Sequence, residues 1–289
     1  MWTRRTRTIA GGTGGRKPQS FFFSRCFGEA SFVTTLLIDA GNSRLKWASF
    51  SQGQRSPQQA LAYGEHTPQA GALQHLQMLI AQEAAEKIVL VHVLGGTFTE
   101  ALQALCAQLK LALTVVQSRA GAYGIEVVYP NPAHFGADRF VGLLAARKLL
   151  GEQAAIIIDA GTAVTIDAIQ ADGKHLGGVI LPGLQLLSDA LIRRTQAAHM
   201  SATPFDHPKV FNDNTLQGMG SGCLFSLVGA LEGICARMQE QMSEPAQVLL
   251  CGGDTELLSP QIRLAHQACP DALMEGLQYV AEQDACKPC

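Results

Sequence analysis

The sequence predicts an α/β protein built from two similar halves. From Thr34 onward, short apolar runs ending in turn residues alternate with longer stretches of helical spacing. The run Leu36-Leu-Ile-Asp-Ala-Gly41 returns 120 residues later as Ile156-Ile-Ile-Asp-Ala-Gly161. Each copy is followed by a small polar residue, Asn42 or Thr162, and then by a second apolar extended stretch. A strand–turn–strand unit recurring at domain spacing implies duplication, and 289 residues suit two domains of about 150. Composition agrees: 47% hydrophobic and 16% charged residues exclude a disordered chain, which needs low hydrophobicity and high net charge. No unbroken apolar run approaches the ~18–20 residues of a membrane-spanning helix, so an integral membrane protein is not expected.

The elements follow in order. Thr34–Ile38 reads as a strand, Asp39-Ala-Gly-Asn42 as a tight turn and Leu45–Phe50 as its partner strand. Residues 70–86 carry Leu73, Leu76, Leu79 and Ile80 at helical spacing, and Lys87–Leu94 is a buried-strand run broken by Gly95-Gly96. Thr97-Phe-Thr-Glu100 has the form of a capping box opening the next helix, before the strand Ala112–Val116. A helix follows Gly136-Ala-Asp-Arg139 and stops at Gly151. Ala155–Ile158 is again a strand ending in Asp-Ala-Gly. Asn212-Asp-Asn-Thr215 is an N-cap cluster, with Thr215 as a capping residue, for a helix carrying Gly218, Gly220, Gly222 and Gly229. Each glycine costs roughly 1 kcal/mol against Ala in a helix, so four together imply the close approach of another backbone or a ligand.

The net charge of −2 hides an asymmetry. Residues 1–33 hold Arg4, Arg5, Arg7, Arg16, Lys17 and Arg25 against Glu29 alone, and the other 256 residues carry −7. Such an acidic body disfavours nucleic-acid binding. The basic, glycine-rich first 33 residues are expected to lie outside the fold. Eight cysteines are too few for a disulfide scaffold, and Cys106, Cys223, Cys235 and Cys251 sit in apolar stretches as small hydrophobes, which suits a reducing cytoplasm. The terminal Cys286-Lys-Pro-Cys289 has no second ligand pair at zinc spacing and reads as a tail. The eight histidines show no ligand spacing and are expected to share no site.

A strand ending in Asp before a glycine turn offers backbone N–H groups to an anion, since glycine has no Cβ in the way. The neighbouring carboxylate can hold a cation, usually through water for magnesium. Two such turns facing each other would grip a triphosphate. The sequence has no GxxxxGK[ST] loop, no GxGxxG after a strand, no HExxH and no GxSxG.

Asp39-Ala-Gly-Asn-Ser-Arg-Leu-Lys46 resembles the first phosphate motif of the acetate and sugar kinase/actin superfamily, and Asp159-Ala-Gly-Thr-Ala163 resembles the second. Between them, Tyr129-Pro-Asn-Pro-Ala-His-Phe-Gly-Ala-Asp-Arg139 is similar to the acceptor-site signature of type III pantothenate kinases. Gly177-Gly-Val-Ile-Leu-Pro-Gly183 and Asn214-Thr215 fit the same family in the same order, and Val248-Leu-Leu-Cys-Gly-Gly-Asp254 resembles an adenosine-side motif. The resemblance spans about residues 34–283. Ser43 stands where many members carry Thr, which keeps the hydroxyl.

That resemblance implies two ribonuclease H-like halves, 34–135 and 136–289, with mixed sheets flanked by helices and a nucleotide between them. It implies ATP-dependent phosphorylation of pantothenate, with Mg2+ and a monovalent cation, K+ or NH4+, in a cytoplasmic homodimer whose acceptor site lies at the subunit interface. Residue by residue, Asp138 would be the base that takes the acceptor's proton. Asp39, Ala40, Gly41, Asn42, Ser43, Arg44, Leu45, Lys46 and Thr162 would bind ATP. Tyr129, Gly136, Ala137, Asp138, Arg139 and Thr215 would bind pantothenate, and Asp159 the monovalent cation. Arg139 would bind the acceptor or developing charge, against the plainer role of an ion-pairing surface arginine. Two rivals remain. One is another kinase or phosphatase of the superfamily, disfavoured by the Gly-Ala-Asp-Arg segment and the short length. The other is a non-catalytic accessory protein on the same scaffold, disfavoured by the intact Asp39, Asp138 and Asp159.

Overall fold

The computed structural model describes residues 33–63, 67–195 and 205–285; the basic extension and the C-terminal cysteine pair lie outside them. Two strands bearing the repeated Asp-Ala-Gly turn sit at the centre of two sheets. In the first, β1 (Thr35–Ala40) pairs antiparallel with β2 (Arg44–Ser51) and parallel with β5 (Lys87–His92). The strands β3 (Gln54–Arg55) and β4 (Gln59–Ala62) extend β2 antiparallel, and β6 (Ala112–Val115) extends β5 parallel. In the second, β7 (Ala155–Ala160) pairs antiparallel with β8 (Ala163–Ile169), which pairs antiparallel with β9 (His175–Pro182). On its other side β7 runs parallel to β10 (Gln247–Cys251), followed by β11 (Gln267–Ala268). The orders β3-β2-β1-β5-β6 and β9-β8-β7-β10-β11 match strand for strand. The duplication expected from the repeated turn is therefore present in the topology.

Strand alternation distributes the core, because successive side chains face opposite sides of a sheet. Leu36, Ile38 and Ala40 face α1 (Pro68–Gln82) and α2 (Gly96–Leu109), in one cluster with Leu76 and Phe98. Leu37 faces the other way, into a core shared with Ile157 and Leu249 of the second sheet. That central layer is made by α3 (Ala137–Leu150) and α7 (Ala272–Ala285), which touch where Gly276 lies against the Val141 carbonyl. A methyl group on Gly276 would collide with that carbonyl. On the outer face of the second sheet, Ile156, Ile158 and Ile166 pack against Leu224, Leu227 and Leu231 of α5 (Thr215–Gln241), with Leu184 of α4 (Leu184–Arg194) and Leu258 of α6 (Thr255–Leu258).

Several expectations change. The first helix starts at Pro68, where Thr67 caps it by accepting from the Ala70 N–H. The helix α2 starts at Gly96 behind Gly95 at φ 82°, so Thr97 lies inside its first turn and forms no capping box. Glycine makes the earlier start possible, since a residue with Cβ rarely adopts that φ. Likewise Asn214, not Thr215, caps α5, its side chain accepting from the Gln217 N–H at 2.9 Å. That helix is long and apolar enough to cross a membrane by length and composition, with a mean hydropathy of 1.5 over 18 residues, although no unbroken apolar run announced it. Its Leu224–Leu231 side packs on the second sheet as a core helix does. Among the described residues, a Cβ on Gly222 or Gly229 would have nothing within 4 Å, and one on Gly218 would touch only Asn212.

Candidate active site

The same alternation that buries Leu37 and Ile157 turns Asp39 and Asp159 toward the central layer, one from each sheet. Asp39 ends β1, is only 8% exposed, and ion-pairs at 3.5 Å with its cross-strand partner Lys46. Burial raises its carboxyl above the usual range, Lys46 opposes this, and the Asp138 charge adds to it. Asp159 ends β7 at the equivalent place. Burial pushes its carboxyl up to about 6, against the pull of Lys46 and reinforced by Asp39, Asp138 and Asp167. Four carboxylates thus share one neighbourhood in which Lys46 is the cation that both Asp39 and Asp159 feel.

A cavity of about 470 Å3 opens between the two turns. Asp39, Gly41, Asn42, Ser43, Arg44 and Lys46 line it from the first turn, Gly161 and Thr162 from the second, and Gln185, Leu186 and Asp189 from α4. Gly253 and Asp254 close it, and burial raises the Asp254 carboxyl against the pull of Arg44. Of the residues expected to bind nucleotide, Ala40 and Leu45 are fully buried in the first sheet's outer core, where they pair across β1 and β2 beside the turn. Glycines bring the cavity's walls together. The Gly183 N–H donates to the Thr162 carbonyl at 3.1 Å, and a Cβ there would strike the Gly161 and Thr162 carbonyls. Gly252, at φ 94°, lies against the Asp159 carboxylate and the Ala160 carbonyl.

The segment expected to bind the acceptor approaches from the central layer. Gly136 is the N-cap of α3 and Asp138 lies in its first turn, where its Oδ1 accepts from the Arg139 N–H at 2.8 Å. Gly136 and Ala137, with Phe135, line a second cavity of about 460 Å3 bounded by His92, Thr99 and Ser118. Tyr129 is half-buried and accepts from Arg139 Nη1 at 3.1 Å. Arg139 is 9% exposed, not a surface arginine, and the Asp167 carboxylate holds its charge. Thr215 is exposed and lines neither cavity.

Several residues of this region escaped the sequence reading. The Tyr63 hydroxyl donates to the Gly41 carbonyl at 3.0 Å and so pins the first turn; burial beside Asp39 raises its phenol. Gln185 and Asp189 sit one helical turn apart on α4, a spacing legible only once that helix is known. Asp167 and His175, bonded at 2.9 Å, gave no signal, because their partners are distant in sequence. Among the described residues no group of three His, Cys, Asp or Glu side chains is disposed to hold a metal ion. A divalent ion would therefore depend on phosphate oxygens and water for most of its ligands.

The family model that describes type III pantothenate kinase matches residues 35–237. A type III pantothenate kinase of Herminiimonas arsenicoxydans is 32% identical over 251 residues, covering 85% of this chain and 96% of the relative. One from Janthinobacterium sp. (strain Marseille) is 32% identical over 253 residues, covering 86% and 97%. Among solved structures, a Baf family protein from Campylobacter jejuni superposes with a TM-score of 0.54 at 18% identity, covering 86% of this chain and 98% of that one. MreB5 of Spiroplasma citri bound to ADP gives 0.53 at 11% identity, covering 87% and 97%, and shares the actin-like fold. With two glycine turns lining one cavity and a family match over residues 35–237, this chain belongs to the type III pantothenate kinases.

Proposed function

We propose that the protein transfers the γ-phosphoryl group of ATP to the primary hydroxyl of pantothenate, giving ADP and 4′-phosphopantothenate, the first step of coenzyme A biosynthesis. The observation that carries this reading is the convergence of Asp39 and Asp159, both raised in part by the Asp138 charge, beside a cavity walled by both glycine turns. The triphosphate lies in that cavity against the backbone of Gly41–Arg44 and Gly161–Thr162, with Lys46 neutralising part of its charge. Magnesium bound to the phosphates, and a monovalent cation at Asp159, supply the remaining positive charge when present. Asp138 Oδ1 is engaged by the Arg139 N–H, which leaves Oδ2 to accept the acceptor's hydroxyl proton. As that proton leaves, the acceptor oxygen bonds to the γ-phosphorus, and the bond to the bridging oxygen breaks with its electron pair departing on ADP. A carboxylate is a weak base at neutral pH, so alignment of the hydroxyl supplies much of the effect.

The working unit is a homodimer. Its support is the outer side of α5, where Gly222 and Gly229 leave open space beside Phe225, 37% exposed, and the edge strand β9, where Val179 and Ile180 are 39% and 64% exposed. A second copy of this chain approaching there would cover Gly222 and Gly229, which meet nothing within 4 Å among the described residues. Release of ADP measured with ATP, magnesium and pantothenate, with and without potassium, tests the activity. Turnover that depends on pantothenate is the expected result; its absence in both conditions overturns the reading.

A further inference from the structure

Behind the acceptor segment lies a buried polar cluster in which Asp167 and His175 have no assigned task. The Asp167 and Arg139 side chains, 4% and 7% exposed, meet in a two-pronged pair: Arg139 Nε donates to Asp167 Oδ2 at 2.8 Å and Nη2 to Oδ1 at 2.6 Å. His175, fully buried, engages the same Oδ1 through Nε2 at 2.9 Å. A carboxylate only accepts, so His175 carries its proton on Nε2. Arg139 Nη1 then donates to the Tyr129 hydroxyl, and its guanidinium lies 4.6 Å from the centre of the Phe135 ring, which sits 4.6 Å from His175. The cluster thus joins β8, β9, the loop before α3 and the first turn of α3.

Two features set it apart from an incidental ion pair. A buried pair is weak support for stability, since packed apolar residues of similar volume often do as well or better. The surroundings are also shaped around Asp167. Gly178 is its cross-strand partner on β9, and a Cβ there would fall on the Asp167 carboxylate and the Ile166 carbonyl. Gly178 therefore clears the space that lets the carboxylate turn toward Arg139. Held from both prongs, Arg139 is no swinging cation. It fixes the Tyr129 hydroxyl on one side and the backbone that bears Asp138 on the other.

We propose that Asp167 and His175 are positioning residues of the acceptor site, which lock Arg139 so that Tyr129 and Asp138 are presented to the acceptor as one rigid unit. The inference rests on the kinase reading. Its test is steady-state kinetics, with a melting curve for each variant, on D167N, R139Q, the double variant, H175F and H175Q. H175F keeps the ring stacking and the ion pair but loses the donor to Asp167, whereas the H175Q amide can restore it. The expected result for H175F is a fall of roughly tenfold in kcat/KM for pantothenate, partial rescue in H175Q, and KM for ATP within about twofold of wild type. D167N loses more, and the double variant loses no more than the worse single one, because the pair acts as a unit. Variants that melt lower yet keep the wild-type kcat/KM for pantothenate would show a purely structural cluster and overturn the proposal. So would losses that multiply in the double variant, or that fall equally on ATP. If D167N and the double variant do not fold, H175F against H175Q decides alone. Wild-type protein inert with pantothenate defeats the kinase reading instead, a result distinct from active wild type with indifferent variants.

Discussion

Asp138 tests the chemistry at a single atom pair. Asp138→Asn retains size and the oxygen that takes the Arg139 N–H, yet cannot accept a proton. General bases contribute about 10²–10⁴-fold, so kcat should fall by that factor with the melting curve unchanged. Near-wild-type turnover would reduce Asp138 to an acid stabilising a helix start. Asp159 tests the electrostatics. Burial and three neighbouring carboxylates hold its carboxyl at about 6, so the folded state binds a proton more readily than the unfolded state. Stability contributed by the protonated form is present below pH ~4 and is lost as pH rises through about 6. Asp159→Asn should therefore raise Tm at pH 8 by roughly 2–5 °C without added cations and leave it unchanged near pH 4. Melting curves at the two pH values check this; equal Tm at pH 8 would mean that the ionised carboxylate is already compensated. The repeated Asp-Ala-Gly made both strand-end carboxylates legible in the sequence. The fate of Arg139 was not, because its partner Asp167 lies 28 residues away on a strand whose register no local pattern states.

At the scale of elements, α5 concentrates what glycine does. Helix glycines are unfavourable by roughly 1 kcal/mol each, yet Gly222 has open space around its missing side chain. Gly222→Leu should therefore leave the monomer folded, or slightly stabilise it, while obstructing close approach of a second copy. Light scattering across a dilution series, with activity on the same samples, should show dimer content and pantothenate-dependent turnover falling together. An unaltered dimer would move the interface elsewhere. The contrast is Gly183, at the join of β9 and α4, where a Cβ meets two backbone carbonyls of the second turn. Gly183→Ala should cost about 1–3 kcal/mol through overpacking and raise KM for ATP, as denaturation and kinetics would show. Sequence alone could count these glycines but not tell open space from a wall, since both look the same in one dimension. Elements with strong periodicity, such as β1, β5 and α3, were legible. The two-residue strands β3 and β11 were not, being held by their neighbours rather than by any pattern of their own.

For the whole molecule, the matching strand orders follow from one duplicated unit, and the offset of 120 residues had already implied it. The arrangement of the copies did not follow from it, because two helices, α3 and α7, make the inner layer for both sheets at once. Residues 1–32 lie outside the described chain and outside the family match. A chain starting at Val33 should keep its melting temperature and its turnover, measured side by side with the full chain. A large loss of either would mean that the extension packs on the body.

Arg55 of β3 reaches across the central layer to Asp271 and Glu275, at 2.6 Å from each, near the start of α7. Its register, Arg55 to Phe50 to Thr35, puts this link at the end of β1 opposite the Asp39 turn. The five steps along β1 from Thr35 to Ala40, at about 3.3 Å each, separate link and turn by roughly 17 Å. Because β1 is paired along its whole length to β2 and β5, this link ties the first sheet as a unit to the inner layer at the end away from the turn, so the turn's position is set by the sheet rather than by β1 alone.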